Sequence, residues 1–120
     1  MTGSESGERE ALVVLTTAGS EEQARSIAEA LVEKNLAACV NLLPGIRSIY
    51  RWKGKLWDDE EILLLIKTTS DAMDAVGETI RSLHSYELPE MLALPVAHAD
   101  TAVLEWLCSS VSPGPTTGDR

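Results

Sequence analysis

The order of apolar runs and amphipathic segments along this chain of 120 residues constrains its fold more than any other feature. Residues 11–16 are apolar and unbroken, which is typical of a strand covered on both faces. Ser20 then opens a capping pattern with acidic residues in the first turn, and apolar residues recur at helical spacing from Ala24 to Leu31. This pattern predicts a helix that ends near Asn35, a residue tolerated just past a helix end.

The next segments predict two more strands that belong to one long hairpin. Residues 36–43 are again apolar, and we expect the Pro-Gly pair at 44–45 to end this strand. Residues 48–53 alternate between the two faces of a strand, and Gly54 allows a tight turn. The chain then returns through residues 55–68, whose first half is acidic and whose second half is an apolar core strand.

A second helix, a strand and a last helix complete the pattern. The second helix begins at Ser70, and its predicted buried stripe comprises Met73, Val76, Gly77, Ile80 and Leu83. Residues 91–96 predict a strand with Pro95 at an edge or near its end, because proline cannot donate to a ladder. Asp100 is expected to cap the last helix. Three residues of that helix are predicted to pack inward: Val103, Leu104 and Leu107.

Together these elements predict an α+β fold of the ferredoxin-like class. In this split β-α-β sandwich the order β-α-β-β-α-β is followed by a C-terminal helix. Residues 11–110 are expected to form one domain, with residues 1–10 and 111–120 as flexible tails. The two main helices cover only one face of the sheet, although several strands are apolar throughout. We therefore expect the open face or the hairpin to pack against other copies of the chain.

Charge and cysteine content narrow the classes of partner and compartment. Nineteen acidic and ten basic residues give a net charge of −9 without any basic cluster. We therefore expect neither a nucleic-acid partner nor an anionic membrane surface. The opening sequence MTGSESGERE lacks the apolar run of a signal peptide. The two cysteines, Cys39 and Cys108, are interpreted as reduced thiols of a cytoplasmic protein, with Cys39 buried as a small hydrophobic residue.

Several short motifs, in this order, resemble the CutA family of divalent-cation-tolerance proteins. They extend over nearly all of the predicted folded part and are specific in combination. The motifs are Leu36-Ala-Ala-Cys-Val-Asn41, Leu43-Pro-Gly45, Tyr50-x-Trp52-x-Gly54-Lys55, Ile66-Lys-Thr-Thr69, His84-x-Tyr86-Glu87-x-Pro89-Glu90, Leu94-Pro-Val96, Val96-x-His98-x-Asp100-Thr101 and Trp106-Leu107.

This resemblance implies a ferredoxin-like fold and a homotrimer whose architecture is similar to that of PII signalling proteins. It also implies a cytoplasmic role in tolerance of divalent metals, copper especially. The family pattern implies no established reaction, so no catalytic residue is assigned. No cofactor is expected to be obligatory, and the metal expected as a ligand is copper or another divalent cation.

Residues 84–90 are the first candidate for a binding site. Copper and zinc sites use three or four imidazole, thiolate or carboxylate donors, and His84 is the candidate metal ligand here. Family members that bind copper are reported to carry a cysteine at the position of Thr16 and a histidine pair at those of Leu83 and His84. Only His84 is retained in this chain. The alternative is a rigid turn, because Pro89 fixes its own φ and favours an extended residue before it.

A broader ligand cleft is predicted where strand ends and helix ends meet at one edge of the sheet. Lys67 ends an apolar run, where a charge is costly unless it is paired or near water. The predicted cleft comprises Lys67, Tyr86, Glu87 and Glu90, with Trp52 from another subunit. A salt bridge is the alternative role for Lys67. The acidic run at 58–61 is expected to be a solvated face of the hairpin.

Three classes of function remain open from the sequence. The first is a non-enzymatic homotrimer that binds metal ions or a small ligand in clefts between subunits. The second is a signalling or interaction trimer that senses a small anionic metabolite, by analogy of fold with PII proteins. The third is an enzyme, although the sequence contains no visible pair of nucleophile and base.

Overall fold

Four strands form one antiparallel sheet in the computed structural model, which describes residues 9–114 and so leaves most of both predicted tails outside the described part. The strands are β1 (Ala11–Ala18), β2 (Cys39–Trp52), β3 (Lys55–Thr69) and β4 (Leu92–Pro95). Their order across the sheet is β2-β3-β1-β4, and each neighbouring pair is antiparallel. This topology is that of a ferredoxin-like sandwich, so the predicted fold class is confirmed.

Two helices cover one face of the sheet and a third follows β4. The helices are α1 (Glu21–Glu33), α2 (Met73–Leu83), which follows a 3₁₀ turn at Ser70–Ala72, and α3 (Thr101–Ser110). The largest fully buried apolar side chains come from both layers: Val14, Ile27, Leu31, Leu64, Ile66, Val76 and Ile80. Each such side chain contributes about 1.5–3 kcal/mol relative to its exposed state. At the end of α2 the predicted stripe fails, because Leu83 is 38% exposed.

Both ends of α1 follow from local sequence. The Ser20 hydroxyl accepts a hydrogen bond from the Gln23 amide at 3.1 Å, as the capping pattern predicts. Asn35 adopts a φ of 60°, which asparagine tolerates better than most residues. This conformation allows the Leu36 amide to donate to the Leu31 carbonyl at 2.9 Å. The helix therefore ends in a Schellman motif, at the predicted residue.

β2 continues through Pro44 and Gly45, and the prediction that this pair ends the strand is wrong. Between Leu43 and Ile46, the register of β2 against β3 shifts, because β2 carries extra residues there and forms a β-bulge. Gly45 supplies a φ of 77°, and a bulge is one of the few places where a strand accepts proline. The same pair that would end a strand therefore bends this one instead.

β2 and β3 extend beyond the rest of the sheet as a two-stranded ribbon. The last pair between β1 and β3 joins Ala18 to Ile62, whereas β2 pairs with β3 up to a two-residue turn. That turn consists of Lys53 and Gly54, with φ values of 54° and 73°. Positive φ at both positions is typical of a type I′ turn, so the predicted long hairpin is confirmed.

The C-terminal part of the domain packs less completely than the sequence predicts. β4 is an edge strand and Pro95 is its last residue, as expected. Asp100 precedes α3, but its side chain makes no capping hydrogen bond. Leu107 is buried, whereas Val103 and Leu104 are 48% and 38% exposed. The first turns of α3 therefore leave two of the three predicted inward residues on the surface.

Ordered contacts extend past the predicted domain limits at both ends. The Arg9 Nε lies 3.0 Å from Asp71 Oδ2. The same guanidinium donates to the carbonyl oxygens of Cys108 and Val111 at 2.9 and 2.8 Å. Val111 is itself 3% exposed and belongs to the core. Arg9 therefore ties the start of β1 to the end of α3.

The sheet face opposite α1 and α2 remains largely apolar and open. Leu43, Leu92 and Leu94 are 40%, 52% and 49% exposed. The half-buried apolar residues on the same face are Val13, Leu15, Leu63 and Leu65. Cys39 also lies half-buried on this face, opposite Lys67, and not in the core as predicted. The described chain thus presents the uncovered apolar surface that the sequence predicts.

Candidate functional site

His84 ends α2 and links it to both β1 and the connector, which we define as residues 84–91. Its Nδ1 accepts a hydrogen bond from the Tyr86 amide at 3.1 Å, and its Nε2 lies 2.7 Å from the Thr17 carbonyl oxygen. An accepting nitrogen carries no proton, so the neutral ring holds its proton on Nε2 and donates it to Thr17. Both ring nitrogens are therefore occupied within the chain.

Tyr86 carries the connector onto the hairpin. Its hydroxyl donates to Glu61 Oε2 at 2.5 Å, and its ring centroid lies 4.5 Å from that of His84. A methyl group at Gly19 would lie 3.1 Å from this hydroxyl, so the small residue gives the phenol its space. Burial, followed by the hydrogen bond to Glu61, raises the pKa of Tyr86 well above its usual value. The phenol therefore remains a proton donor at neutral pH.

Glu61 is a site residue that the sequence does not reveal. The acidic run at 58–61 is predicted to be solvated, but Glu61 is only 4% exposed. The correction has a geometric reason, because alternation along β3 turns Asp59 and Glu61 to one side while Asp58 and Glu60 lie on the other. Its position directly before the apolar run of β3 is the signal that could have identified it.

The outer ribbon brings further polar groups near the connector. Tyr50 donates to Asp59 Oδ2 at 2.5 Å, and this bond is the main cause that raises the Tyr50 pKa to about 12. Lys53 Nζ lies 3.2 Å from Glu87 Oε1 and 5.7 Å from the centroid of the Trp52 ring. Both members of this ion pair are exposed, so it contributes little to stability. Three predicted cleft residues, Trp52, Tyr86 and Glu87, therefore lie along one side of the hairpin.

Lys67 is not brought to that place within one chain. Lys67 pairs with Val13 and Cys39 on the open face of the sheet. It lies six residues from Glu61 along β3, which corresponds to roughly 20 Å at about 3.3 Å per residue. Among the described residues, no carboxylate lies within ion-pair distance of Lys67. Glu90 is exposed. The intrachain salt bridge considered for Lys67 is therefore absent from residues 9–114.

The copper site implied by the resemblance does not fit this arrangement of donors. Thr16 is 1% exposed, and its hydroxyl, for which the described part of the chain provides no partner, lies in the core. Leu83 has no donor atom, and both nitrogens of His84 are already bound. Residues 9–114 contain no group of three or more His, Cys, Asp or Glu side chains placed to hold a metal ion.

Comparison with known proteins decides the family. The model of the family described as CutA1 divalent ion tolerance protein matches residues 12–110. The chain belongs to this family. The resemblance inferred from the motifs is therefore confirmed, and the match spans the whole ferredoxin-like domain together with α3.

Individual relatives agree with this assignment. The divalent-cation tolerance protein CutA of Thermus thermophilus is 54% identical over 95 residues, covering 79% of this chain and 92% of the relative. The mouse protein CutA is 50% identical over 91 residues, covering 76% of this chain, which spans only 51% of that relative. The chain therefore spans nearly all of the Thermus relative and about half of the mouse relative.

Solved structures share the fold. The divalent cation tolerance protein (Cut A1) from Thermus thermophilus superposes with a TM-score of 0.83 at 50% identity, covering 85% of this chain and 99% of that one. A protein from Archaeoglobus fulgidus named periplasmic divalent cation tolerance protein CutA gives a TM-score of 0.82 at 35% identity. This superposition covers 85% of the present chain and 99% of the Archaeoglobus chain. Within residues 9–114 of the present chain, no helix is long and apolar enough to cross a membrane.

Proposed function

We propose that this family member is a cytoplasmic homotrimer that supports tolerance of divalent metal ions by binding a ligand in clefts between its subunits. Family membership supports the link to divalent ions. Binding without catalysis is supported by His84, whose two nitrogens are engaged and therefore not available as a general base. The proposal includes no nucleic-acid or membrane partner, in keeping with the net charge of −9.

The uncovered sheet face supports self-association. Leu43, Leu92 and Leu94 expose 40–52% of their surface on a face that otherwise continues the core pattern. In general, removing about 100 Å² of apolar surface from water stabilises an assembly by about 2.5 kcal/mol, from which the free-energy cost of association is subtracted. Within residues 9–114, β4 is also an edge strand of the sheet, and a strand of another copy can pair with its outer side. We propose that a second and a third copy of the chain cover this face, because each copy carries the same apolar surface.

The division of the predicted cleft residues supports a site between subunits. Trp52, Tyr86 and Glu87 lie beside the outer part of the hairpin. Lys67 lies on the open face, roughly 20 Å along β3 from Glu61, the partner of Tyr86. The face that carries Lys67 is the one proposed to meet a neighbour. In a trimer, the open face of one subunit and the hairpin of the next would together provide Trp52, Lys67, Tyr86, Glu87 and Glu90.

The carboxylates of this cleft determine which metals suit it. Glu87 and Glu90 are exposed oxygen donors, which hard divalent cations prefer, whereas copper favours imidazole and thiolate. Copper bound by His84 alone would be weak, because one imidazole supplies too few donors and its nitrogens must first leave Tyr86 or Thr17. We therefore propose a divalent cation held mainly by carboxylates, with copper at His84 as the weaker mode.

One observation favours a second candidate, a PII-like trimer that senses a small anionic metabolite. The Lys67 ammonium has no carboxylate partner within ion-pair distance among residues 9–114. A partly desolvated ammonium gains most from a negative partner, which is either an acid of a neighbouring subunit or the ligand itself.

Calorimetry with matched variants separates these candidates. The parent chain is titrated with Cu²⁺, with Mn²⁺ as a cation that prefers oxygen donors, and with a set of small carboxylates and phosphates, beside the Glu87→Gln and Lys67→Ala variants. Glu33→Gln, an exposed glutamate at the end of α1, is the control. The divalent-cation proposal predicts binding that weakens roughly tenfold in Glu87→Gln and is unchanged in the control, since one charge-assisted contact contributes about 1.4 kcal/mol. Anion binding lost in Lys67→Ala supports the second candidate, and no saturable binding of either class contradicts both.

A further inference from the structure

We propose that His84 is a positioning residue, whose ring forms a side-chain turn that aims the Tyr86 hydroxyl at Glu61. The inference deepens the proposed function and rests on it, because Tyr86 is a wall of the proposed cleft. It concerns the unliganded chain, however, and can be tested whether or not a ligand is ever bound.

The geometry at His84 is that of a turn normally made by asparagine or aspartate. In such turns a side-chain acceptor of one residue binds the backbone amide two residues later. Here the acceptor is Nδ1 of His84 and the donor is the Tyr86 amide, at 3.1 Å. The backbone of His84 is extended, with φ −82° and ψ 144°, and its own amide makes a closing bond of α2 to Ile80 at 2.9 Å. The side-chain turn therefore takes over where the helix stops.

The second nitrogen of the ring fixes the direction of that turn. Nε2 donates to the Thr17 carbonyl of β1 at 2.7 Å, so the imidazole cannot rotate without losing one of its two bonds. The ring is thereby fixed to the sheet, and the connector is fixed to the ring. The adjacent Tyr86 ring packs against the imidazole at a centroid distance of 4.5 Å.

This series of contacts ends at a buried carboxylate. Glu61 is 4% exposed and accepts the Tyr86 hydroxyl at 2.5 Å. Because so little water reaches this carboxylate, its stability depends strongly on hydrogen-bond donors of the protein. The contacts from Thr17 through His84 and Tyr86 to Glu61 therefore join β1, the connector and β3 at the point where the hairpin leaves the sheet.

Metal binding at His84 and this turn exclude each other. A metal that takes the Nδ1 lone pair displaces the Tyr86 amide. A metal that takes Nε2 leaves the ring proton on Nδ1, which then cannot accept from that amide. The family member described here therefore uses its retained histidine to hold the cleft wall, at a position where Thr16 and Leu83 offer no second metal donor.

Two conservative variants separate the two ring contacts. In His84→Asn the side-chain oxygen lies near the position of Nδ1 and can still accept from the Tyr86 amide. In His84→Gln the longer side chain places its amide near Nε2, so it can reach Thr17 but does not form the turn. We expect the asparagine variant to keep the turn and with it most of the orientation of Tyr86, although its bond to Thr17 is lost, and the glutamine variant to lose both the turn and the orientation. His84→Ala is expected to lose both as well.

The readouts use the low tyrosine content of the chain. Because Tyr50 and Tyr86 are the two tyrosines, a Tyr50→Phe background leaves Tyr86 as the sole phenol. The Fermi doublet of tyrosine in the Raman spectrum then reports whether that phenol donates to a carboxylate. Amide hydrogen exchange of Tyr86 reports the turn. The background protein and His84→Asn are predicted to show a donating phenol and a protected amide, whereas His84→Gln shows neither.

A measurement on the unmodified chain guards against variants that fail to fold. Nitrogen NMR of His84 at a mildly alkaline pH is predicted to show the neutral tautomer protonated on Nε2. The opposite tautomer, or an imidazolium, would overturn the proposal. So would identical Raman and exchange behaviour of the Asn, Gln and Ala variants. Each measurement is made without ligand, so failure to find a ligand contradicts the proposed function and leaves the positioning role standing.

Discussion

Replacing Tyr86 by phenylalanine tests the energetic account of the site. The substitution keeps the ring and removes only the hydroxyl that donates to Glu61 at 2.5 Å. Tyr50→Phe is a matched control, because Tyr50 also donates to a carboxylate, that of Asp59, at 2.5 Å. The bond of Tyr86 is the more buried of the two. Its acceptor Glu61 is 4% exposed, whereas Tyr50, the donor of the other bond, is 39% exposed.

The expected magnitudes follow from that difference. A hydrogen bond to a charged group contributes about 1.5–3 kcal/mol, and a buried acceptor left without its donor cannot recover this from water. We therefore expect Tyr86→Phe to reduce the free energy of unfolding by about 2–3 kcal/mol. Water can replace the hydroxyl at Tyr50, so the control should leave the free energy of unfolding nearly unchanged.

Urea unfolding at neutral pH measures both effects. The free energy of unfolding falls by about 1–3 kcal/mol per molar urea in small proteins, so Tyr86→Phe should lower the urea midpoint by roughly 1 M. All variants are compared at one protein concentration, because dissociation of an oligomer makes stability depend on concentration. In a Glu61→Leu background, the same tyrosine substitution should cost about 0.5 kcal/mol or less, since the buried charge is gone.

Equal midpoint shifts for Tyr86→Phe and Tyr50→Phe would refute this reasoning. They would mean that burial of Glu61 does not determine the strength of its bond to Tyr86. A full effect of Tyr86→Phe in the Glu61→Leu background would refute it independently, by showing that the hydroxyl stabilises the fold through another partner.

Three further predictions concern local geometry and chemistry. Asn35→Gly should leave stability nearly unchanged, whereas Asn35→Ala should cost about 1 kcal/mol at a φ of 60°, as thermal or urea unfolding would show. The folded protein prefers protonated Tyr50, whose pKa is raised to about 12, so the stability that this preference provides is present below about pH 10 and is lost as pH rises to about 12. Spectrophotometric titration of Tyr86→Phe should give that pKa, and a value near the ordinary pKa of about 10 would contradict it. Reducing agent should leave the melting temperature unchanged, because Cys39 and Cys108 are free, and a marked fall would show a disulfide.

Elements set by local pattern could be predicted from sequence. The buried face of α1, comprising Ala24, Ile27, Ala28 and Leu31, follows from helical spacing alone. The turn at Gly54 and the edge position of Pro95 follow from backbone chemistry. The prediction for Pro44 and Gly45 is wrong because the same residues suit a strand end and a β-bulge, and only the register with β3 distinguishes them.

The site could be predicted only in part, because its contacts join distant positions. Tyr86 and Glu87 are identified by their motif, but Glu61 lies 25 residues before Tyr86, and its burial depends on that tertiary contact. Arg9 falls within a predicted tail because its partners, such as Val111, lie at the other end of the chain. The proposed approach of Lys67 to the hairpin residues depends on a neighbouring subunit, which single-chain patterns do not describe.

The solution mass of the chain tests the central claim, a ligand cleft completed between subunits, most directly. Light scattering coupled to size-exclusion chromatography at micromolar concentration measures it without reference to any ligand. The account predicts a stable particle of three times the chain mass of 13.0 kDa, unchanged on dilution. A stable monomer of 13.0 kDa would contradict it, because Lys67 then stays roughly 20 Å along β3 from Glu61, the partner of Tyr86, too far to bind one small ligand together with Tyr86.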